Sequence, residues 1–280
     1  MNRRFVYAST VVLTASLIAA CGGQPQAGGG NKLQSCKPAH SVKTLEKGKL
    51  IVSVYVTPPY TVKKGNTYAG VDGDLIKKLA AMECLQADMH EIAAAGLVES
   101  VISKRADTAL GGIYRTPERA QLLELTSTAY HDGMVLLGKK DYKTVADLAG
   151  KTVGSIQGYL WTADLQKALG QDSVKIYMAS DGMINDVRNG RLDAAVLTTA
   201  EAGYRVAQDP SAGFKINQIA ADPRIAASQH PGEVVFPVTK GNTALAEAFS
   251  ADINTLLKDG TIAGILKNNG MPESSAAKPS

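Results

Sequence analysis

Short apolar runs alternate with helix-spaced hydrophobic positions along most of this chain. The runs at 48–55 and 150–157 both begin with Gly-Lys and then read as β-strands. Helical spacing follows the first run at 72–85, where Asp72 or Asp74 is available as the N-cap. The apolar face of that predicted helix is formed by Leu75, Ile76, Leu79 and Met82. This order of elements is typical of βαβ units in a parallel sheet.

The chain then repeats this organisation. Residues 101–107 lead from a helix end through a basic turn into the apolar run 108–110, and residues 187–193 lead in the same way into 194–197. A further helix is predicted to open at Ser180. Amphipathic helices are predicted at 244–257 and 261–266, separated by the helix stop Lys-Asp-Gly. We therefore expect two lobes of similar build, followed by a Pro-, Ser- and Ala-rich tail at 273–280 that is disordered.

The N-terminal segment differs from the rest of the chain. Arg3 and Arg4 precede an apolar stretch that is shorter than the roughly 20 residues needed to cross a bilayer, so residues 1–20 are predicted to be a secretion signal. An ordinary cleaved signal with an incidental cysteine is one interpretation. The order Leu-Ile-Ala-Ala-Cys at 17–21 also resembles the bacterial lipoprotein signal, in which the cysteine is lipidated and becomes the first residue of the mature protein.

On that second interpretation, Cys21 is the lipidation site and residues 21–35 form a flexible tether. The tract at 22–30 is rich in Gly and cannot bury enough apolar surface to fold. Stable anchoring needs more than one acyl chain, and the lipoprotein modification provides this. The mature protein is then expected to be anchored to the cell membrane on its extracytoplasmic face, in the periplasm or at the cell surface.

Composition excludes several kinds of function. Hydrophobic residues make up 45% of the chain and charged residues 20%, as in soluble globular proteins. The formal net charge of +4 is modest, and no basic stripe is interleaved with aromatic residues, so nucleic-acid binding is not expected. The four histidines have no metal-ligand spacing and there is no nucleophile elbow. We therefore expect no metal, no cofactor and no catalytic residue.

Cys36 and Cys84 are the cysteines that remain if Cys21 is lipidated. An even pair in an oxidising compartment predicts a disulfide, and two buried free thiols are the alternative. The closed loop would stabilise the fold by roughly 4 kcal/mol through loop-closure entropy.

Six short segments stand in an order that matches a known family. They are Thr57-Pro58-Pro59-Tyr60, Tyr68 to Leu75, Thr116-Pro117-Glu118-Arg119, Asp147 to Gly158, Gly190 to Ala194, and Leu256 to Thr261. Together they resemble the extracytoplasmic solute-binding proteins of family 3, the amino-acid-type substrate-binding lipoproteins of ABC importers. The resemblance runs from about 45 to 270, which is nearly all of the mature body.

The resemblance implies an α/β fold of the type II periplasmic-binding-protein kind. Two lobes, each a mixed sheet flanked by helices, would be joined by two crossing segments. Lobe 1 is expected at 36–131 plus 235–272 and lobe 2 at 132–234. A solute that touches both lobes favours the closed state, which a permease can recognise. The expected partners are a carboxylate-bearing solute, an ABC permease and its ATPase subunit, and the protein is expected to be a monomer and not an enzyme.

The resemblance also implies a binding site. Arg119 matches the family arginine that clamps the α-carboxylate of the substrate, a task that suits a planar guanidinium. Without the resemblance, this arginine would be interpreted as a surface residue or as a partner of Glu118 or Glu124. The other ligand-binding candidates are Tyr55, Tyr60, Gly112, Tyr114, Thr116, Tyr159, Trp161 and Thr198.

Three positions depart from the family pattern. Tyr114 stands where the family usually has Ser or Thr, and Tyr159-Leu160 replaces a pair of hydroxyl residues after Gly158. Thr198 stands where an acidic residue normally receives the α-ammonium group. The absence of that acid is expected to weaken binding of a free α-amino acid by about 1.5 to 3 kcal/mol. Because Tyr and Trp rings suit flat ligands or alkylated cations, we expect an amino-acid-derived solute with a carboxylate and a modified amine, aromatic or heterocyclic in kind.

Two other functions are known for this fold. A periplasmic enzyme of the cyclohexadienyl-dehydratase type would need a general acid or base in the cleft, for which Glu201 and His131 are the candidates. A ligand-sensing receptor component would have to act through a separate partner. Consumption of a candidate solute by the purified protein would favour the enzyme.

Overall fold

Residues 36–280 are described by a computed structural model of the protein. The predictions for the signal peptide, for Cys21 and for the tether lie outside this range. Within it, no helix combines the length and the apolar character that crossing a membrane requires.

The first part of the described chain contains a three-stranded sheet and the elements around it. In chain order, this part of the chain forms β1 (Lys49–Val54), β2 (Val62–Lys64), β3 (Thr67–Ala69), α1 (Val71–Met82), β4 (Gln86–Glu91), α2 (Leu97–Ile102), β5 (Thr108–Leu110), α3 (Pro117–Leu122), β6 (Leu123–Leu125) and β7 (Tyr130–Asp132). The sheet has the order β4-β1-β5 and all of its strands are parallel. β1 is buried along almost its whole length, as expected for a central parallel strand.

The next part of the chain builds a five-stranded sheet with the order β10-β9-β11-β8-β12. Its elements are β8 (Met134–Gly138), β9 (Val153–Ile156), α4 (Thr162–Leu169), β10 (Val174–Tyr177), α5 (Ser180–Arg188), β11 (Ala194–Thr198), α6 (Thr199–Gln208) and β12 (Lys215–Asn217). β10, β9 and β11 are parallel, and β8 runs antiparallel between β11 and β12. The order β10-β9-β11 reproduces β4-β1-β5, so the repeat seen in the sequence is a repeat of βαβ units.

The chain passes between the two sheets twice. The last elements are β13 (Gly232–Val234), β14 (Pro237–Thr239), α7 (Thr243–Lys258) and α8 (Thr261–Asn268). β13 pairs antiparallel with β7, and β14 pairs antiparallel with β6. α7 and α8 then pack against α1 of the first lobe. The outgoing and returning segments therefore lie side by side, and the two-lobed fold class is confirmed.

Two local predictions differ from the structure. Neither Asp72 nor Asp74 caps α1, which starts after Gly70 without a side-chain cap. The Asp72 carboxylate is buried and accepts hydrogen bonds from the backbone amides of Gly111 and Gly112, at 3.0 and 2.8 Å, because these amides lack strand partners at the end of β5.

The tail at 273–280 was expected to be disordered, and the structure instead packs it against lobe 1. The amide of Ala277 donates to the carbonyl of Ala129 at 3.1 Å, Ala276 bridges to Tyr130, and the amide of Ser280 donates to Asn254 Oδ1 at 2.9 Å. The open edge of β7 offers backbone partners that the composition of the tail does not reveal. The side chain of Ala277 is buried as a result.

The predicted disulfide between Cys36 and Cys84 is confirmed, with Cα atoms 5.7 Å apart. It joins residues 48 positions apart, so its removal enlarges the conformational freedom of the unfolded chain.

We expect replacement of both cysteines by Ser to lower the free energy of unfolding by roughly 4 kcal/mol. Chemical denaturation of the double variant beside the oxidised protein measures this, and an unchanged midpoint would contradict it.

Candidate functional site

A cavity of about 290 Å³ lies between the lobes, at the carboxyl ends of strands from both sheets. Tyr55 follows β1, Gly111 follows β5, Gly158 follows β9 and Thr198 ends β11. Eight of the nine predicted ligand-binding residues line this cavity. They are Tyr55, Tyr60, Gly112, Tyr114, Arg119, Tyr159, Trp161 and Thr198.

Thr116 is the predicted residue that does not line the cavity. Its hydroxyl accepts a hydrogen bond from the backbone amide of Arg119 at 3.2 Å and so caps α3, with Pro117 in the first turn. This cap fixes where α3 begins and therefore where Arg119 projects. Thr116 therefore lies outside the lining of the cavity and fixes the start of the helix that presents Arg119.

Arg119 supplies the positive charge of the cavity wall. Its Nη1 donates to the carbonyl of Tyr114 at 2.6 Å, and it forms no ion pair with any residue in the range 36–280. Burial lowers the pKa of Arg119 from its usual value, whereas neighbouring Glu118 raises it. An arginine keeps its proton in either case, so the cavity wall carries a cation that forms no ion pair within residues 36–280.

Aromatic side chains form much of the remaining wall. Tyr159 and Trp161 meet edge to face with ring centroids 5.3 Å apart. The ring of Tyr114 lies directly over Gly232 of the returning strand, where an added Cβ would come within 3 Å of the ring. Three polar groups in these buried walls have no partner among the described residues. They are the hydroxyls of Tyr55 and Tyr114 and the indole Nε1 of Trp161.

The Thr198 hydroxyl is hydrogen-bonded within the protein. Its Oγ1 lies 2.6 Å from the hydroxyl of Tyr60 and accepts a hydrogen bond from the amide of Glu201 at 3.0 Å. The Tyr60 hydroxyl donates its proton to the Asp132 carboxylate. Asp132 further accepts from the amides of Gly133 and Ala200, at 2.7 and 3.3 Å, and burial raises its pKa above the usual value. Tyr60 and the buried carboxylate of Asp132 therefore lie beside Thr198.

A second tyrosine also donates a hydrogen bond to a buried carboxylate. The Tyr159 hydroxyl donates to Glu201 Oε2 at 3.0 Å, and Glu201 is fully buried, which raises its pKa. Glu201 Oε1 has no partner among the described residues. Neither Glu201 nor His131, the candidates for a general acid or base, lines the cavity. His131 lies in β7 opposite Glu233 of the returning strand.

The Tyr60 hydroxyl connects the lobes, so its removal should weaken the fold. We expect Tyr60→Phe to lower the free energy of unfolding by about 1 to 3 kcal/mol, because the buried Asp132 carboxylate loses a donor. Urea denaturation measures the change. Tyr142→Phe is the matched control, since that hydroxyl is equally buried but has no partner in the described chain. Equal stability of the two variants would contradict this role for Tyr60.

The lobes touch each other across the cavity. Gly158 of lobe 2 has φ +91°, and a Cβ added there would lie 2.8 Å from Ala95 Cα of lobe 1. Gly158 was predicted only as part of a motif, and Ala94 and Ala95 were not among the predicted site residues. The run of small residues at 93–96 is a signal that would have indicated close approach of another backbone.

Two lobes that the chain crosses twice, with a cavity between them whose arginine forms no ion pair within residues 36–280, are typical of a binding protein that encloses a small solute. Residues 50–270 match the bacterial extracellular solute-binding proteins, family 3. The chain belongs to this family, as the resemblance predicted.

Several similar proteins bind amino acids. ABC transporter arginine-binding protein 1 of Escherichia coli is 28% identical over 218 residues, which cover 77% of this chain and 87% of that protein. The arginine-binding extracellular protein ArtP of Bacillus subtilis is 27% identical over 197 residues, covering 68% and 77% of the two chains. A solved structure of an ancestral arginine-binding protein bound to arginine matches with a TM-score of 0.71 at 25% identity, covering 80% of this chain and 99% of that one. These relatives are binding proteins, and they support a general role as the substrate-binding component of an ABC transporter.

Proposed function

We propose that this protein captures a carboxylate-bearing, amino-acid-derived solute whose amine is modified, and delivers it to an ABC permease and its ATPase subunit. The observation that carries the proposal is the unpaired guanidinium of Arg119 in a cavity whose described walls contain no Asp or Glu. Arg119 is half-buried, and a charge that is partly removed from water is stabilised when it is paired. A carboxylate matches the donor fork of the guanidinium and neutralises it.

The charges of the cavity argue against free arginine as the solute, although the relatives named above bind it. Arginine carries an α-ammonium and a guanidinium beside its carboxylate. The wall supplies one cation and no anion, and the position at which the family places an acid is Thr198, already engaged by Tyr60. Both cations of bound arginine would therefore lose hydration without gaining a carboxylate partner. A solute with a neutral, modified amine avoids this loss.

The aromatic residues of the wall favour a solute with a planar group. Tyr55, Tyr114, Tyr159 and Trp161 all line the cavity. Their rings provide flat apolar surface for such a group. The volume of about 290 Å³ suits a solute of amino-acid size.

We further propose that Cys21 is lipidated and that the tether at 21–35 holds a monomer on the extracytoplasmic face of the membrane. In this arrangement lobe 1 (36–131 plus 235–272) and lobe 2 (132–234) move relative to each other about the β7–β13 pair. The signal-like order at 17–21 and membership of an extracellular family support the anchor.

Replacement of the lipidation site tests the anchor. We expect Cys21→Ser to release the protein from the membrane fraction, because no acyl chains are then attached. Cell fractionation with immunoblotting measures this, and intact mass of the mature protein reports the acyl groups directly. Membrane retention of the variant would contradict the proposal.

The identity of the solute is tested on the purified protein. Native mass spectrometry of freshly prepared protein would detect a retained solute. A thermal-shift panel would then compare matched pairs, each a free amino acid and its N-acylated form. We expect the modified member of a pair to raise the melting temperature more. Equal and tight binding of ordinary free amino acids would overturn the proposal.

A further inference from the structure

Outside the cavity, three side chains that bind metal ions converge on lobe 1. His40 lies in the segment before β1, Glu83 follows the last turn of α1, and Asp252 lies in α7. One ligand atom from each of these side chains lies within 4.8 Å of the others. None of the three lines the solute cavity. The spacing of the sequence does not indicate this cluster, because His40 and Glu83 are 43 residues apart and the fold brings them together.

The cluster holds two buried carboxylates. Glu83 is 2% exposed and Asp252 is 1% exposed. His40 hydrogen-bonds only Glu83 of the two carboxylates. Its Nδ1 lies 2.6 Å from Oε1, and its backbone amide donates to Oε2 at 2.9 Å. Asp252 Oδ1 lies 4.0 Å from the same Nδ1, beyond hydrogen-bond distance, and Oδ2 has no partner within residues 36–280.

This arrangement places two buried carboxylates beside one imidazole. One histidine, even when protonated, balances one of the two carboxylates. A divalent cation would balance both, and a neutral imidazole would then be the third ligand.

We propose that His40, Glu83 and Asp252 form a binding site for a divalent cation of borderline hardness, with Zn²⁺ as the best match. A histidine nitrogen with two carboxylate oxygens is a ligand set that suits Zn²⁺, and a water molecule would complete the tetrahedron. Ligand atoms of such a site are roughly 3.4 Å apart. The 2.6 Å pair must open and the 4.0 Å pair must close to reach this geometry, and both changes are within the range of side-chain rotation.

The surroundings of the cluster suit a structural role for the ion. The His40 side chain is 39% exposed, which leaves a path for the ion from solvent. The Cys36–Cys84 disulfide and the hydrogen bond from the amide of Ala39 to the carbonyl of Met82, 3.0 Å long, hold the segment of His40 against the end of α1. A bound ion would add a link to α7. It would stabilise lobe 1 by mass action, without contact to the solute.

The test is a titration of the chelator-treated, oxidised protein with Zn²⁺. Isothermal calorimetry is expected to give one ion per chain, and a thermal-shift assay a rise of several degrees. Asp252→Asn keeps the shape of the side chain and removes a buried like charge, so that variant should fold. Together with His40→Gln, it is expected to weaken Zn²⁺ binding at least 30-fold. His90→Gln is the matched control, because His90 also lies beside a carboxylate, 3.1 Å from Asp88, but on the exposed surface.

Each result decides for or against the site. Loss of the ion in the Asp252 and His40 variants, with retention in the His90 variant, supports it. Absence of binding by the wild-type protein, or full affinity in the Asp252 variant, overturns it. Solute affinity of these variants should stay unchanged, so failure of the metal site is distinguishable from failure of the proposed transport role.

Discussion

Replacement of Arg119 by Ala is expected to reduce solute affinity by about 2 to 5 kcal/mol, which corresponds to a loss of roughly 30-fold to several thousand-fold. Arg119 is half-buried and forms no ion pair within residues 36–280, so under the proposed function a bound carboxylate would be its counter-ion. Isothermal calorimetry with the solute recovered by native mass spectrometry gives the affinity directly.

Two further variants separate charge from geometry at this position. Arg119→Lys keeps the charge but loses the bidentate fork, so its affinity should fall between those of the wild type and the Ala variant. Arg115→Ala removes an exposed arginine that pairs with Glu233 at 2.9 Å and does not line the cavity. It is expected to bind almost normally. Unchanged affinity of Arg119→Ala would remove this residue from the binding site.

Replacement of Gly158 by Ala is expected to hinder closure of the lobes. The added Cβ would lie 2.8 Å from the Ala95 Cα and 2.9 Å from the Ala95 amide nitrogen. Both are backbone atoms, so no side-chain rotation can relieve the clash. If the closed state is destabilised by on the order of 2 to 3 kcal/mol, solute affinity falls about 30- to 150-fold. Small-angle scattering with and without solute would show a smaller change in radius of gyration than in the wild type.

The chain provides a control for backbone strain in this experiment. Gly170 has φ +92°, nearly the same as the +91° of Gly158, but a Cβ added to Gly170 meets nothing within 4 Å. Gly170→Ala should therefore carry a similar strain of about 1 to 3 kcal/mol in stability and leave affinity and closure intact. Normal closure of the Gly158 variant, or equal loss of affinity in both, would show that the Gly158–Ala95 contact does not limit closure.

The fold was largely predictable from local patterns in the sequence. Strands β1, β5, β9 and β11 fall within or beside the predicted apolar runs, and α1, α5, α7 and α8 lie within a few residues of the predicted helical stretches. These predictions succeed because a buried parallel strand and an amphipathic helix each leave a periodic signal over neighbouring residues. The repeated order of these elements then indicated two similar lobes.

The detailed chemistry of the site was less predictable. Tyr60 meets Asp132 and Thr198, which are 72 and 138 residues away in the chain. No local pattern encodes such contacts. Thr116 was predicted as a ligand-binding residue from its place in a motif, but its hydroxyl is used by the helix that presents Arg119. The pairing of the tail with Ala129 was missed for a related reason, since an open backbone edge accepts partners of almost any composition.

The disulfide would have a mechanical consequence if the chain is anchored at Cys21 as proposed. A pull on the chain upstream of Cys36 reaches the folded body at Cys84, beside the end of α1, and so loads the lobe that also contains α7 and α8. The strands β7 and β13, about which lobe 2 would swing, lie outside this line of force. Force transmitted through the tether would therefore not change the angle between the two lobes. Motion of the tether would not release the bound solute.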